Sequence, residues 1–198
     1  MSKYFHCLLF VLSVACYGGH SLPSETQLRA GDIVFRKGYG VKSRAVLHAD
    51  KSSVYSHVGI IVQDKEKFFV IHITPEERSK QETVDKTKME RLEDFFASEK
   101  AEHGAFMRFA DSAEISQSAA RQAFRLYKKQ VTFDHDYDLS DTNKMYCSEL
   151  VWYAYNLAGR DITEGRRHVI KNFPIFSGTH IFPSDIYEHE KLKTYYKF

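Results

Sequence analysis

The chain has 198 residues, of which 43% are hydrophobic, 14% aromatic and 27% charged. That is the size of one folded domain with a short appendage, and the composition excludes a disordered or fibrous protein. Twenty-eight Lys and Arg against 26 Asp and Glu leave a formal charge of +2, without the large basic excess of a nucleic-acid binder and with no reason for adhesion to anionic lipid.

At the N-terminus Lys3 precedes the apolar run Cys7-Leu8-Leu9-Phe10-Val11-Leu12, which continues to Ala15-Cys16. The run is far short of the roughly 20 residues that span a bilayer. A basic start, a short apolar stretch and then small residues predict an export signal over residues 1–17. Ser13-Val14-Ala15 has small residues at its first and third positions, which suits cleavage before Cys16. A Cys directly after that triplet also suits lipidation, as in a bacterial lipoprotein, although Ser13 stands where such signals carry Leu or Val. The expectation is an exported protein of the periplasm or cell envelope, either released by ordinary cleavage or held to the membrane solely by a lipid anchor at Cys16. Of three cysteines, Cys7 and Cys16 fall in this segment or at its edge, leaving Cys147 alone in the mature body.

Residues 18–27 read as a polar, flexible leader and residues 28–198 as a single domain. Gly31-Asp32 is a turn signal and Ile33-Val34-Phe35 opens a strand. A short helix is expected around residues 43–48. Two apolar runs, 56–62 and 68–73, are separated by Gln63-Asp64-Lys65-Glu66-Lys67 and read as a β-hairpin. Residues 88–98 suit a short helix and residues 104–109 a strand. Asp111-Ser112 caps a helix running to about Lys129, with Ile115, Ala119, Ala123, Leu126 and Tyr127 at helical spacing. The Asp- and Asn-rich segment 131–144 reads as a loop. A second helix starts near Cys147, carries the stripe Leu150, Val151, Ala154, Leu157 and Ala158, and stops at Gly159. Residues 160–180 look irregular, 183–187 form a helical turn and 192–198 a last strand. The sum is one α+β domain, an antiparallel sheet packed against helices.

The hairpin makes a geometric statement. A two-residue turn at Lys65-Glu66 sets Gly59 opposite His72 and His57 opposite Thr74. Side chains alternate, so Val58, Ile60, Val62, Phe69, Ile71 and Ile73 share one apolar face. His57, Gly59, Ile61, Val70, His72 and Thr74 share the other, and a one-residue slip would mix the two sets. His57 and His72 are then diagonal neighbours with the side-chain-free Gly59 between them. Two imidazoles so placed either orient a proton-transfer group or are half-buried histidines bonded to loops.

Cys147 stands at the predicted N-terminus of an amphipathic helix, where free backbone N–H groups and the helix dipole favour a thiolate and should lower the thiol pKa. A nearby His would serve as general base, and a third polar group would set its tautomer. Cys147, His57 and His72 supply the parts. Ser148 is small, which leaves the Cys147 N–H open as an oxyanion donor.

These segments resemble the NlpC-type papain-like cysteine peptidases, which carry Gly-Asp-Leu-Val-Phe, then His-Val-Gly-Ile, then Ile-His-Ala. The counterparts here are Gly31-Asp32-Ile33-Val34-Phe35, Ser56-His57-Val58-Gly59-Ile60 and Ile71-His72-Ile73. The family's Cys-Ser-Gly-Leu segment is matched by Cys147-Ser148-Glu149-Leu150. In the ordinary family the Cys helix comes first, and here it comes last. That order, Phe133-Asp134, and Tyr146-Cys147-Ser148-Glu149-Leu150-Val151-Trp152 resemble the circularly permuted branch, the YiiX/YebB-like permuted papain-like amidases, to which the lecithin:retinol acyltransferase family is related. The resemblance covers about residues 28–188. It implies a permuted papain-like fold and a cysteine hydrolase with Cys147 as nucleophile, His57 as base and His72 orienting it. His72 stands where the permuted branch often has Glu. The implied substrate is a small peptide, or a cell-wall or lipid-derived amide, and no cofactor is implied.

Two other readings compete with an amidase. A zinc site of two His and one Cys lacks sequence-local ligand spacing. A non-catalytic binding module on the same fold would betray itself by a missing triad member, and all three are present. The acidic cluster Asp134, Asp136, Asp138 and Asp141 lacks the spacing of an EF-hand loop and reads as a solvated turn.

Overall fold

The computed structural model describes residues 19–75, 85–170 and 178–198. The predicted export signal, with Cys7 and Cys16, lies outside the described residues. Strand β1 (Ile33–Lys37) follows a turn at Gly31, whose φ is +93°. A Cβ at Gly31 would lie 2.2 Å from the Ser116 carbonyl oxygen, so both the dihedral and the space demand glycine.

Asp32, next along, is buried and fully used. One carboxylate oxygen accepts from Arg108 Nε at 2.7 Å. The other accepts from Arg108 Nη2 at 2.7 Å, the Tyr195 hydroxyl at 2.8 Å and the Arg29 N–H at 2.9 Å. Arg108 lies on β5 (His103–Phe109) and Tyr195 on β10 (Leu192–Lys197), so one carboxylate ties three strands together. Asp32→Ala should cost about 3 kcal/mol, because breaking a buried pair leaves a guanidinium without its counter-charge. The urea midpoint should fall with the slope unchanged; a loss under about 1 kcal/mol would contradict this account.

The hairpin forms in the anticipated register. Strand β2 (His57–Asp64) and strand β3 (Lys67–His72) pair Ile60 with Ile71 and Val62 with Phe69, and Asp64–Lys67 closes a two-residue turn. The faces separate as expected: Val58, Ile60, Val62, Ile71 and Ile73 enter the larger core, with Phe69 packed against it. Ile61 and Val70 face a second, smaller core with Leu92, Phe95, Phe96 and Phe106. The larger core is closed by α3 (Ala113–Lys128) and α4 (Cys147–Leu157). The Ser112 hydroxyl caps α3 by accepting the Ile115 N–H at 3.2 Å, and α4 stops at Gly159 with φ +87°. The expected helix at 43–48 is α1 (Val41–Ala49), and the late helical turn is α5 (Pro183–Tyr187).

The helix expected over 88–98 is mostly something else. Lys88–Arg91 is strand β4, antiparallel to β3 with Val70 opposite Glu90 and His72 opposite Lys88, and only Leu92–Phe95 turns helical as α2. The outer edge of β3 has backbone groups to satisfy, and that tertiary demand overrides a helix-compatible composition. The six-stranded sheet runs β10-β5-β1-β2-β3-β4, antiparallel throughout.

Two segments expected to lack structure contribute small pairings. Within 131–144, β6 (Thr132–Phe133) lies parallel to β7 (Lys144–Met145). Later, β8 (His168–Ile170) pairs antiparallel with β9 (Gly178–His180). The Asp134 carboxylate accepts the Asp136 and Asp138 N–H groups, which makes the acidic cluster a turn scaffold. Residues of the expected leader are docked: His20 stacks on Phe198 at 4.4 Å and bonds the Ala101 carbonyl at 2.8 Å.

Candidate active site

The two histidines sit at one end of the hairpin, His57 as the first residue of β2 and His72 as the last of β3. Their alternation puts both on the face of the smaller core. There His57 Nε2 meets His72 Nδ1 at 3.0 Å, with the rings nearly perpendicular at 82°. Phe95 forms the floor, 5.6 Å from the His57 ring and 5.0 Å from that of His72. Gly59 is the spacer. A Cβ there would lie 2.5 Å from Val70 Cγ1 and 3.2 Å from His72 Cβ.

Three charged side chains, none singled out by the sequence, surround the pair. Glu90 on β4 brings Oε2 to 3.2 Å from His72 Nε2, and Lys100 Nζ lies 3.6 Å from the same oxygen. Arg36 on β1 pairs with His57 across the strands. Its guanidinium lies over the Phe95 ring at 4.4 Å and donates to the Phe95 carbonyl. The signal for Glu90 was the polar–apolar alternation of Lys88-Met89-Glu90-Arg91, which is strand-like and was outweighed by helix-forming residue types.

Cys147 comes from the opposite side, as the first residue of α4. The backbone N–H groups of Val58, Ser148 and Cys147 favour its thiolate form, and Ser148 Oγ is 3.8 Å from Sγ. The helix end is thus set against the residue that follows His57. The structure brings His57 and His72 into direct contact and sets Cys147 beside Val58.

The electrostatics differ from the expectation. Burial pushes the Cys147 thiol up, and the hydrogen bonds that favour thiolate do not offset it. Burial, reinforced by Arg36, also holds His57 well below the ordinary imidazole value. Burial brings His72 down to about 4 despite the pull of Glu90. Glu90 is lowered as well, to about 2, chiefly by its polar contact with His72, which favours the carboxylate. At neutral pH the resting set is therefore a thiol, two neutral imidazoles and a carboxylate. A base that must be neutral to work stays so below pH 6.5. The acid limb of the pH–rate profile should accordingly lie below pH 6.5; a limb at or above that value would contradict the burial argument.

Glu149, two residues beyond Cys147, is buried, and its carboxyl accepts the Tyr146 N–H at 3.3 Å. Burial, with the nearby Asp134 charge, pushes its pKa up to about 8. Between roughly pH 4.5 and 8 the folded protein holds a proton there that the unfolded chain has lost, so stability should fall as pH rises through that window. Glu149→Gln should match wild type at pH 5 and exceed it by on the order of 2 kcal/mol at pH 8. Parallel melting curves for the two proteins across that range would refute the raised carboxyl.

Among the described residues, no three His, Cys, Asp or Glu side chains converge in an arrangement that could hold a metal ion. The family described as permuted papain-like amidase enzyme, YaeF/YiiX, C92 family, matches residues 27–194. No curated protein matches significantly. Among solved structures, one described as the metalloprotein yiiX from Escherichia coli O157:H7 superposes with a TM-score of 0.68. It is 24% identical, over 87% of this chain and 98% of that one. The word metalloprotein belongs to that molecule.

Proposed function

Since the chain belongs to the YaeF/YiiX family of permuted papain-like amidases, we propose that it is a cysteine hydrolase working through an acyl-thioester, with Cys147 as nucleophile, His57 as general base and His72 as the group that orients His57. The observation that carries this reading is the placement of a helix-start thiol against Val58, the residue that follows a histidine whose ring is bonded to a second histidine.

The chemistry follows from neutral partners. Cys147 Sγ attacks the amide carbonyl carbon as His57 Nδ1 takes the thiol proton, so a thiolate forms only as the S–C bond does. The oxyanion is met by backbone N–H groups at the α4 start, the Cys147 N–H among them. The C–N bond then breaks and His57 returns the proton to the departing amine. Water attacks the thioester, His57 takes its proton, and the S–C bond breaks to restore the thiol and release the acid.

For the substrate we favour peptide or γ-glutamyl amide bonds of cell-wall fragments, because the predicted signal at residues 1–17 would carry the protein to the envelope. Wild type and Cys147→Ala should be incubated with cell-wall fragments and with lipid extracts, and the products read by mass spectrometry. New carboxyl and amine termini in the wall fragments, formed by wild type alone, are the expected result. Products in the lipid arm alone would replace this substrate with a lipid amide or ester, and identical spectra for the two proteins in both arms would overturn the hydrolase reading.

A further inference from the structure

His57 and His72 share a single hydrogen bond, 3.0 Å from Nε2 to Nδ1, and one proton must lie in it. In a neutral pair there are two ways to place that proton. If His72 Nδ1 carries it, His57 Nε2 is bare, so His57 Nδ1 is protonated and cannot accept from a thiol. If His57 Nε2 carries it, Nδ1 is left with a lone pair. The two rings do not choose between these states. A choice requires a group that forces the far nitrogen, His72 Nε2.

Glu90 is such a group. Its Oε2 lies 3.2 Å from His72 Nε2, and an ionised carboxylate can only accept. The His72 side chain is 2% exposed, so water does not compete for that nitrogen. We propose that Glu90 is a positioning residue that sets the tautomer of the base two rings away: it holds the proton on His72 Nε2, which leaves His72 Nδ1 as acceptor and obliges His57 to donate from Nε2 and to keep Nδ1 bare. This rests on the hydrolase reading above for its consequence, but the tautomer assignment stands on geometry.

The same chain stabilises the charged state. When His57 takes a proton, both of its nitrogens are protonated, and its positive charge faces a relay that ends in a carboxylate. The other charged groups around the pair are Arg36 from β1, Lys88 from β4 and Lys100 beyond α2, all cationic. Glu90 is thus the one anion the pair faces among the described residues that act on it, and its loss should leave an imidazolium among three cations. The pairing depends on β4: Glu90 stands opposite Val70, one step along the same face from His72.

The test uses the whole chain labelled with nitrogen-15 at histidine. Long-range proton–nitrogen correlation spectra separate bare from protonated ring nitrogens, with assignments from His57→Asn and His72→Asn. Wild type should show bare Nδ1 and protonated Nε2 on both rings. Glu90→Gln, whose amide donates as readily as it accepts and carries no charge, should show a mixture. With p-nitrophenyl acetate as acyl donor, Glu90→Gln should lower kcat on the order of 10²-fold with little change in KM. That is less than the ~10⁴-fold cost of losing a directly bonded orienting carboxylate, since one ring intervenes. Lys100→Met removes the other partner of Glu90 and should keep the wild-type tautomer pattern without lowering kcat. If the role of Glu90 is only to pair with Lys100, the two variants will behave alike. A bare His72 Nε2 in wild type, or wild-type kcat in Glu90→Gln, would overturn the proposal. Absence of any Cys147-dependent acylation in wild type would instead overturn the hydrolase reading, and the wild-type spectrum would then decide the tautomer assignment by itself.

Discussion

Cys147→Ala should abolish the pre-steady-state release of p-nitrophenolate and lower turnover by at least about 10⁴-fold, while the protein remains folded. The size follows from the proposed role. Removing a nucleophile takes away the covalent path and leaves only the smaller contribution of binding and oxyanion donors. Fold stability should change little, because Cys147 is half-buried and the side chain lost is one sulfur atom. Cys147→Ser sharpens the result. Its hydroxyl has nearly the same shape but is a much weaker acid than a thiol, and the buried environment that raises the thiol would raise it further. Serine should therefore be almost as inactive as alanine. Retention of more than about 1% of wild-type turnover in Cys147→Ala, in protein free of wild-type contamination, would falsify the nucleophile assignment.

Gly59→Ala should damage both stability and turnover, and the two losses should share one cause. The added methyl would sit 2.5 Å from Val70 Cγ1 and 3.2 Å from His72 Cβ. Neither atom is the far end of a flexible side chain. Val70 is buried in the smaller core and His72 is held by His57 and Glu90, so relief must come from shifting β3 against β2. Overpacking of this kind costs about 1–3 kcal/mol. A displacement of even 1 Å at His72 breaks its bond to His57, and turnover should fall on the order of 10²-fold. The double variant Gly59→Ala/Val70→Ala removes the worst contact and should recover much of the stability. Recovery of stability without recovery of turnover would locate the functional loss at His72, and full activity in Gly59→Ala alone would refute the spacer role.

Glu90 illustrates how local and long-range information divide in this chain. Residues 88–91 combine types that are comfortable in a helix, so composition pointed to one, and a Glu on a short surface helix attracts no functional suspicion. The strand exists because β3 needs a partner along its outer edge, and that need is invisible until β3 is placed. Once it is, Glu90 falls beside His72 and the site gains its anion. Arg36 was hidden for a related reason: its value lies in facing His57 across β1 and β2, two segments separated by α1. The thiol pKa lies above what a helix start predicts, because local dipoles favour thiolate whereas burial of the sulfur, which depends on what packs over it, disfavours it more.

What the sequence by itself determined is the set of features encoded by short-range periodicity and turn chemistry. The Lys65-Glu66 turn fixes the hairpin register, the alternation of Val58, Ile60, Val62 and Ile71 assigns its faces, and these place His57 and His72 together with Gly59 between them. Ser112 and Gly159 likewise mark helix ends from single residues, because capping is satisfied within one turn. Only the tertiary structure decided which strand covers the β3 edge, which charges surround the imidazoles and how deeply the thiol is buried. Those depend on segments far apart in the chain meeting at one sheet end, where desolvation and through-space charge, rather than local propensity, set the protonation of each group.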